Sequence, residues 1–138
     1  MTLASLVEKE TSIADERPVV ASVYWNRLRE GMRLDCDPTV IYAALLEGMY
    51  RGTIYASDLR RDSPYNTYRR VGLPPGPIAN PGAASLRAAI HPAQTDYLFF
   101  VAKGDGSGAH RFSADLSGHT VNVNHYRKAV KAHGAETR

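Results

Sequence analysis

Tyr97-Leu98-Phe99-Phe100-Val101-Ala102-Lys103, then Gly104-Asp105-Gly106-Ser107-Gly108, then Ala109-His110-Arg111-Phe112-Ser113, is the stretch that decides the fold class. The first run reads as a strand, apolar on both faces and therefore expected in the interior. The glycine-rich segment is turn chemistry, and Ala109 to Ser113 returns as the second strand of a hairpin. The other periodic segments are helical. The class is α+β: a single domain of several helices with a small hairpin and a long ordered loop lining a cleft.

Working outward, a last helix covers Gly118 to His133, with Val123, Tyr126 and Val130 on one face. On the other side, Ala83 to Ile90 reads as a short helix closed by His91-Pro92. Before it lies Asp62 to Gly82, DSPYNTYRRVGLPPGPIANPG, which holds five of the eight prolines and no sustained period. Structureless stretches of this length in compact domains are usually functional or disordered. Fixed proline φ angles and contact surface from the tyrosines and Ile78 favour order here.

Three helices precede the loop. From Leu3 the apolar positions Leu3, Leu6, Val7, Ile13 and Ala14 follow the spacing of one buried helical face. A second helix starts at Pro18, buries Val20, Val23, Tyr24 and Leu28, and stops at Gly31. A third begins at Asp37-Pro38, with Asp37 as N-cap, and runs through Val40, Ile41, Ala44 and Leu45 to Gly48. Glu47 to Arg61 carries no recognisable motif.

With 138 residues and 43% apolar content the chain suits one globular domain. Its apolar runs are too short to span a membrane, and no signal peptide is visible. A net charge of +3 is mildly basic, but the Lys and Arg residues are scattered, so nucleic-acid binding is not indicated. A single cysteine, Cys36, excludes an internal disulfide.

Within Leu6 to Ala14, LVEKETSIA, two carboxylates stand one residue apart, and helical phase separates them. At 100° per residue Glu10 lies about 20° from the direction of Leu3, within the apolar stripe, whereas Glu8 lies about 140° away, toward solvent. Desolvation of a carboxyl on an apolar face disfavours its charge, raises its pKa and suits it to general acid chemistry. The competing reading gives Glu10 an arginine or amide partner at the edge of the core. Glu8 is expected to be a solvated surface charge.

Tyr65-Asn66-Thr67-Tyr68 offers two rings, an amide and a hydroxyl, a set suited to the apolar faces and hydroxyl rims of sugars. The alternative is that the tyrosines plug the loop onto the core. Asp35 and Asp37 resemble a metal pair, but Asp37 before Pro38 is better explained as a cap. His91, His110, His119, His125 and His133 have no zinc-ligand spacing. There is no phosphate-binding loop, dinucleotide fingerprint or nucleophile elbow, and no cofactor is expected.

E-K-E-T at 8–11, N-R-L at 26–28, G-M-R-L at 31–34, D-P-T-V-I-Y at 37–42, Y-N-T-Y at 65–68, G-L-P-P-G-P-I at 72–78, H-P at 91–92 and Y-L-F-F-V-A at 97–102 form a co-linear series. Together they resemble the catalytic domain of the YceG-like endolytic murein transglycosylases across nearly the whole chain. The resemblance implies non-hydrolytic cleavage of the β-1,4 bond between N-acetylmuramic acid and N-acetylglucosamine within peptidoglycan strands, leaving 1,6-anhydromuramyl ends. It places the catalytic glutamate at Glu10. Tyr65, Asn66, Thr67, Tyr68 and the rim residues Leu73, Pro74 and Pro77 are then candidates for substrate binding, with Arg33 and Asp37 as further cleft members. It also implies a membrane-anchoring helix, a LysM-like domain, the outer face of the bacterial cytoplasmic membrane and association with glycan-polymerising synthases. Residues 1–138 contain neither anchor nor LysM-like domain and are expected to be the catalytic portion. A lysozyme-like hydrolase in which Glu8 or Asp37 assists water, or a glycan-binding module without turnover, are the alternatives.

Overall fold

Helix α1 (Thr2–Glu10) buries Leu3, Leu6 and Val7, as its apolar stripe requires. In the computed structural model, which describes residues 1–132, the helix stops at Glu10 instead of continuing through Ile13 and Ala14. Thr11 is extended (φ −142°, ψ 142°), and its hydroxyl accepts the Ile13 N–H at 3.1 Å. A local side-chain bond of this kind competes with the helical ladder. Ala14–Glu16 then form a single 3₁₀ turn leading into α2 (Arg17–Glu30).

Proline in the first turn of α2 and Gly31 after its last are the two expected boundary signals. Gly31 adopts φ 72° and returns its N–H to the carbonyls of Arg27 and Leu28. Helix α3 (Asp37–Leu46) begins one residue earlier than a cap at Asp37 would require. Cys36 occupies the N-cap with no side-chain capping bond, and Asp37 is the first helical residue. Its carboxylate has turned outward to another partner, described below. The motif-free segment 47–61 contains a one-turn helix, α4 (Ala56–Leu59), opened by Asp58 accepting the Tyr55 N–H at 2.8 Å.

Helix α5 (Ala83–Ile90) packs on α1 and α2. Its start corrects the reading of Glu8 as a solvated charge. Glu8 Oε1 accepts the N–H of Gly82, the N-cap of α5, and the Ser85 hydroxyl, each at 2.9 Å. These two donors hold the Glu8 carboxyl below its ordinary pKa, the Gly82 N–H most strongly.

The hairpin consists of β1 (Phe99–Ala102) and β2 (His110–Ser113), antiparallel, with Phe100 opposite Phe112 and Ala102 opposite His110. Its first strand is shorter than expected and is half-buried, not interior, because the sheet has only two strands. Phe100 meets Tyr24 of α2 edge-on at 5.9 Å, while Phe99 stacks on His119 at 5.0 Å.

His119 belongs to α6 (Leu116–Ala132), which lies across both strands. Asp115 starts it by accepting the Gly118 N–H at 2.8 Å. The expected stripe of Val123, Tyr126 and Val130 is its half-buried face. Gly104 in the hairpin turn has φ 74°, and a Cβ there would come within 2.9 Å of the Tyr126 ring, so helix and turn touch closely. His133, the expected last residue of this helix, lies outside the described residues.

Residues of α1, α2 and α5 form the core with Leu34, Cys36 and Ile78. Ile78 is the anchor of the long loop, its N–H donating to buried Ser5 Oγ at 3.0 Å. That bond places the end of the loop against α1.

Candidate active site

Because α1 ends at Glu10, that carboxyl reaches the floor of a cavity of about 350 Å³. One wall carries Asp35, Asp37 and Tyr68. The hairpin supplies the other through Phe100, Ala102 and His110. Burial is the main reason the Glu10 carboxyl is pushed up to about 7, and the nearby Asp37 charge adds to it.

Two buried donors work against that rise. The Tyr24 hydroxyl donates to Cys36 Sγ at 3.3 Å, and the Cys36 thiol makes a long 3.9 Å contact with Glu10 Oε2. Burial pushes both Tyr24 and Cys36 well above their ordinary pKa values, so each keeps its proton and remains a donor. The result is a carboxyl titrating near neutrality, able to give and to take a proton.

Tyr68 and Asp37 form the rim. The Tyr68 hydroxyl donates to Asp37 Oδ1 at 2.5 Å, and burial together with that carboxylate holds the phenol above its ordinary pKa. Asp35 beside them sits in the left-handed region at φ 49°, uncommon for a residue other than glycine but tolerated by aspartate. Its carboxylate lies 3.7 Å from Arg27, whose guanidinium also donates to the carbonyls of Leu98 and Arg33 at 2.7 and 2.8 Å. Arg27 thereby ties α2 to the start of the hairpin and to the segment leading into α3.

The other sequence candidates are distributed differently. Asn66 is fully buried, its amide donating to the carbonyls of Leu59 and Arg61 and accepting the Tyr68 N–H. Thr67 is buried and accepts the Cys36 N–H at 2.8 Å. Tyr65 packs against Tyr42 at 4.9 Å. Arg33 is exposed on a neighbouring groove with Val71 and Phe99. Pro74 is buried, Leu73 and Pro77 are exposed, and none of the three lines the Glu10 cavity. The structure thus gathers Glu10, Asp37 and Tyr68, and it uses Asn66 and Thr67 to shape the loop that carries Tyr68.

Sequence reasoning did not single out Tyr24, Cys36, Arg27, Phe100 or His110 for this cavity. Phe100 and His110 reach it only because the hairpin folds back against α2. A wider groove, about 780 Å³, runs past Trp25, Arg29 and His91. Its polar groups are largely engaged already: Trp25 Nε1 with the Ala89 carbonyl, Asn26 with those of Thr95 and Tyr97, and Ser22 with Thr95. It has no counterpart to the desolvated carboxyl of Glu10.

A model of the YceG-like family matches residues 1–125. The chain belongs to this family. Over 106 residues it is 51% identical to an endolytic murein transglycosylase of Bacillus subtilis (strain 168), an alignment covering 77% of this chain and 29% of that protein. Over 104 residues it is 38% identical to an endolytic murein transglycosylase of Streptococcus pneumoniae serotype 2 (strain D39), covering 74% of this chain and 19% of that one. A crystal structure of a YceG-like protein from Listeria monocytogenes has the same fold, with a TM-score of 0.79 at 45% identity, over 87% of this chain and 38% of that one. The YceG-like chain described here thus spans less than a third of the length of these two transglycosylases.

Proposed function

We propose that this chain is the catalytic portion of a peptidoglycan lytic transglycosylase with Glu10 as its sole acid and base. The observation supporting this is the Glu10 carboxyl at the floor of a cleft, desolvated enough to titrate near 7. Protonated Glu10 delivers its proton to the glycosidic oxygen as the bond to C1 of the N-acetylmuramyl residue breaks. The C6 hydroxyl of that sugar closes on C1, forming the anhydro ring, and its proton passes to the carboxylate. No water is consumed, and Glu10 ends protonated for the next cycle. The nucleophile is tethered to the reacting sugar, so the step is intramolecular. General acid–base help of this kind is worth about 10²–10⁴-fold.

A hydrolytic reading is favoured by one observation: Asp35 and Asp37 line the same cleft, so a second carboxylate is present. Glu8 does not serve it, being bound to the start of α5. Digestion of purified glycan strands followed by mass measurement separates the two. Anhydro ends, lighter by one water, support the lytic reaction; reducing ends alone overturn it in favour of hydrolysis. The homologous transglycosylases support peptidoglycan as substrate and the bacterial cell envelope as location. Anchoring at the outer face of the cytoplasmic membrane and work beside glycan-polymerising synthases complete the proposal. No helix among the described residues is long and apolar enough to cross a membrane.

A further inference from the structure

The hairpin wall of the Glu10 cleft contains a second oriented pair that the acid–base scheme does not use. Glu16, in the 3₁₀ turn directly after α1, accepts two bonds from His110 across 94 residues of chain. Its Oε2 takes the backbone N–H at 2.7 Å, and its Oε1 faces ring Nδ1 at 2.7 Å. Thr11, the residue after Glu10, donates its hydroxyl to the same Oε1 at 3.2 Å. Both side chains are mostly buried, 9% exposed for His110 and 14% for Glu16. The ring is further fixed edge-on against Phe100 at 5.4 Å and 90°.

A carboxylate accepts, so Nδ1 carries the proton, and in the neutral ring Nε2 is left as an acceptor. Among the described residues Nε2 has no protein partner, and it is not among the buried atoms left unsatisfied. His110 lines the same cavity as Glu10. An acceptor held rigidly in a glycan cleft is suited to a sugar hydroxyl, a donor that must be turned in one direction to react or to bind.

We propose that His110 is a substrate-contacting residue whose Nε2 accepts a hydrogen bond from a hydroxyl of the sugar bound over Glu10, and that Glu16 is the positioning residue that fixes its tautomer and direction. The inference rests on the glycan-cleaving reading of this cleft. Glu16 also links the end of the helix bearing Glu10 to the opposite wall, so the two polar groups facing the sugar share one support.

The test compares wild type with His110→Phe, which keeps a ring against Phe100, His110→Asn, which restores an acceptor, and Glu16→Gln. Expected are a fall in kcat/KM on purified glycan strands of about tenfold or more for His110→Phe, partial recovery in His110→Asn, and a melting temperature within about 3 °C of wild type. Nitrogen-15 spectra of the ring should show the Nδ1–H tautomer in wild type and a mixture in Glu16→Gln. Unchanged kcat/KM in His110→Phe, or the same ring spectrum in Glu16→Gln, would overturn the assignment. Should wild type release no product, the transglycosylase reading fails separately. Strand binding in a Glu10→Gln background then decides for His110: affinity reduced by His110→Phe supports the contact, and unchanged affinity overturns it.

Discussion

The hydroxyl of Tyr68 donates to Asp37 Oδ1 at 2.5 Å, joining two segments 31 residues apart at the rim of the Glu10 cleft. The bond explains why Asp37 does not cap α3, since a carboxylate engaged by a phenol on the loop is unavailable to the backbone of its own helix. Tyr68→Phe removes the donor while keeping the ring. Expected is a loss of about tenfold in kcat/KM with a melting temperature shifted by only a few degrees. Wild-type turnover in that variant would show that the rim bond does not serve the reaction.

The Glu10 carboxyl is expected to govern both activity and a component of stability. Its pKa is about 7 in the folded chain against an ordinary 4.5, so the folded state binds the extra proton. The favourable contribution is therefore fully present below pH 4.5 and is lost as pH rises through 7. At about 1.4 kcal/mol per pH unit, wild type should lose about 3 kcal/mol relative to Glu10→Gln over that window. Denaturant titrations of both proteins at several pH values measure it. Glu10→Gln should fold normally and lose nearly all cleavage; retained activity would move the acid elsewhere.

The pH profile of kcat/KM provides a separate test, since protonated Glu10 must deliver the first proton. The alkaline limb should fall near pH 7. Asp37→Asn removes a neighbouring negative charge and should move the limb to lower pH, because the Glu10 proton is then held less tightly. Tyr24→Phe removes a donor that favours the ionised form and should move it to higher pH. Shifts in the same direction for both variants would contradict this account of the carboxyl.

Asn66→Ala should weaken the fold more than the chemistry directly. The amide satisfies the carbonyls of Leu59 and Arg61 and the N–H of Tyr68, backbone groups with no regular ladder to join. Leaving them buried and unmet should cost about 2 kcal/mol or more. Hydrogen exchange should quicken locally around residues 59–70, and kcat/KM should fall as Tyr68 loses its seat. Unchanged exchange there would refute the structural role of the amide.

Periodicity made the hairpin, α2, α5 and the α6 face legible, because each repeats a pattern over several residues. It failed where one side chain outcompeted the pattern. Thr11 bonds the Ile13 N–H and ends α1 at Glu10, so the stripe through Ala14 never forms. Asp37 has the composition of a cap and a different partner. Glu8 has the phase of a surface charge, but α5 brings its unpaired N-terminal donor against it.

The candidate site divides along the same line. Glu10 stood out because a carboxyl in an apolar stripe is a local contradiction visible within one helix. Asn66 and Thr67 share with a sugar-binding pair the residue types that an irregular, buried loop also needs for its own backbone. Glu16 and His110 have no such signal. They lie 94 positions apart and meet only when the hairpin closes over the 3₁₀ turn.

Glu8 and Glu10 are two positions apart, or about 200° of helical rotation. Since Glu8 is clamped to the first turn of α5, α1 has a fixed roll about its own axis. A helix with that freedom removed acts as a keyed shaft, and the bearing of its last carboxyl is set from the far side. The aim of Glu10 into the cleft is thus calibrated at a joint outside the cleft lining.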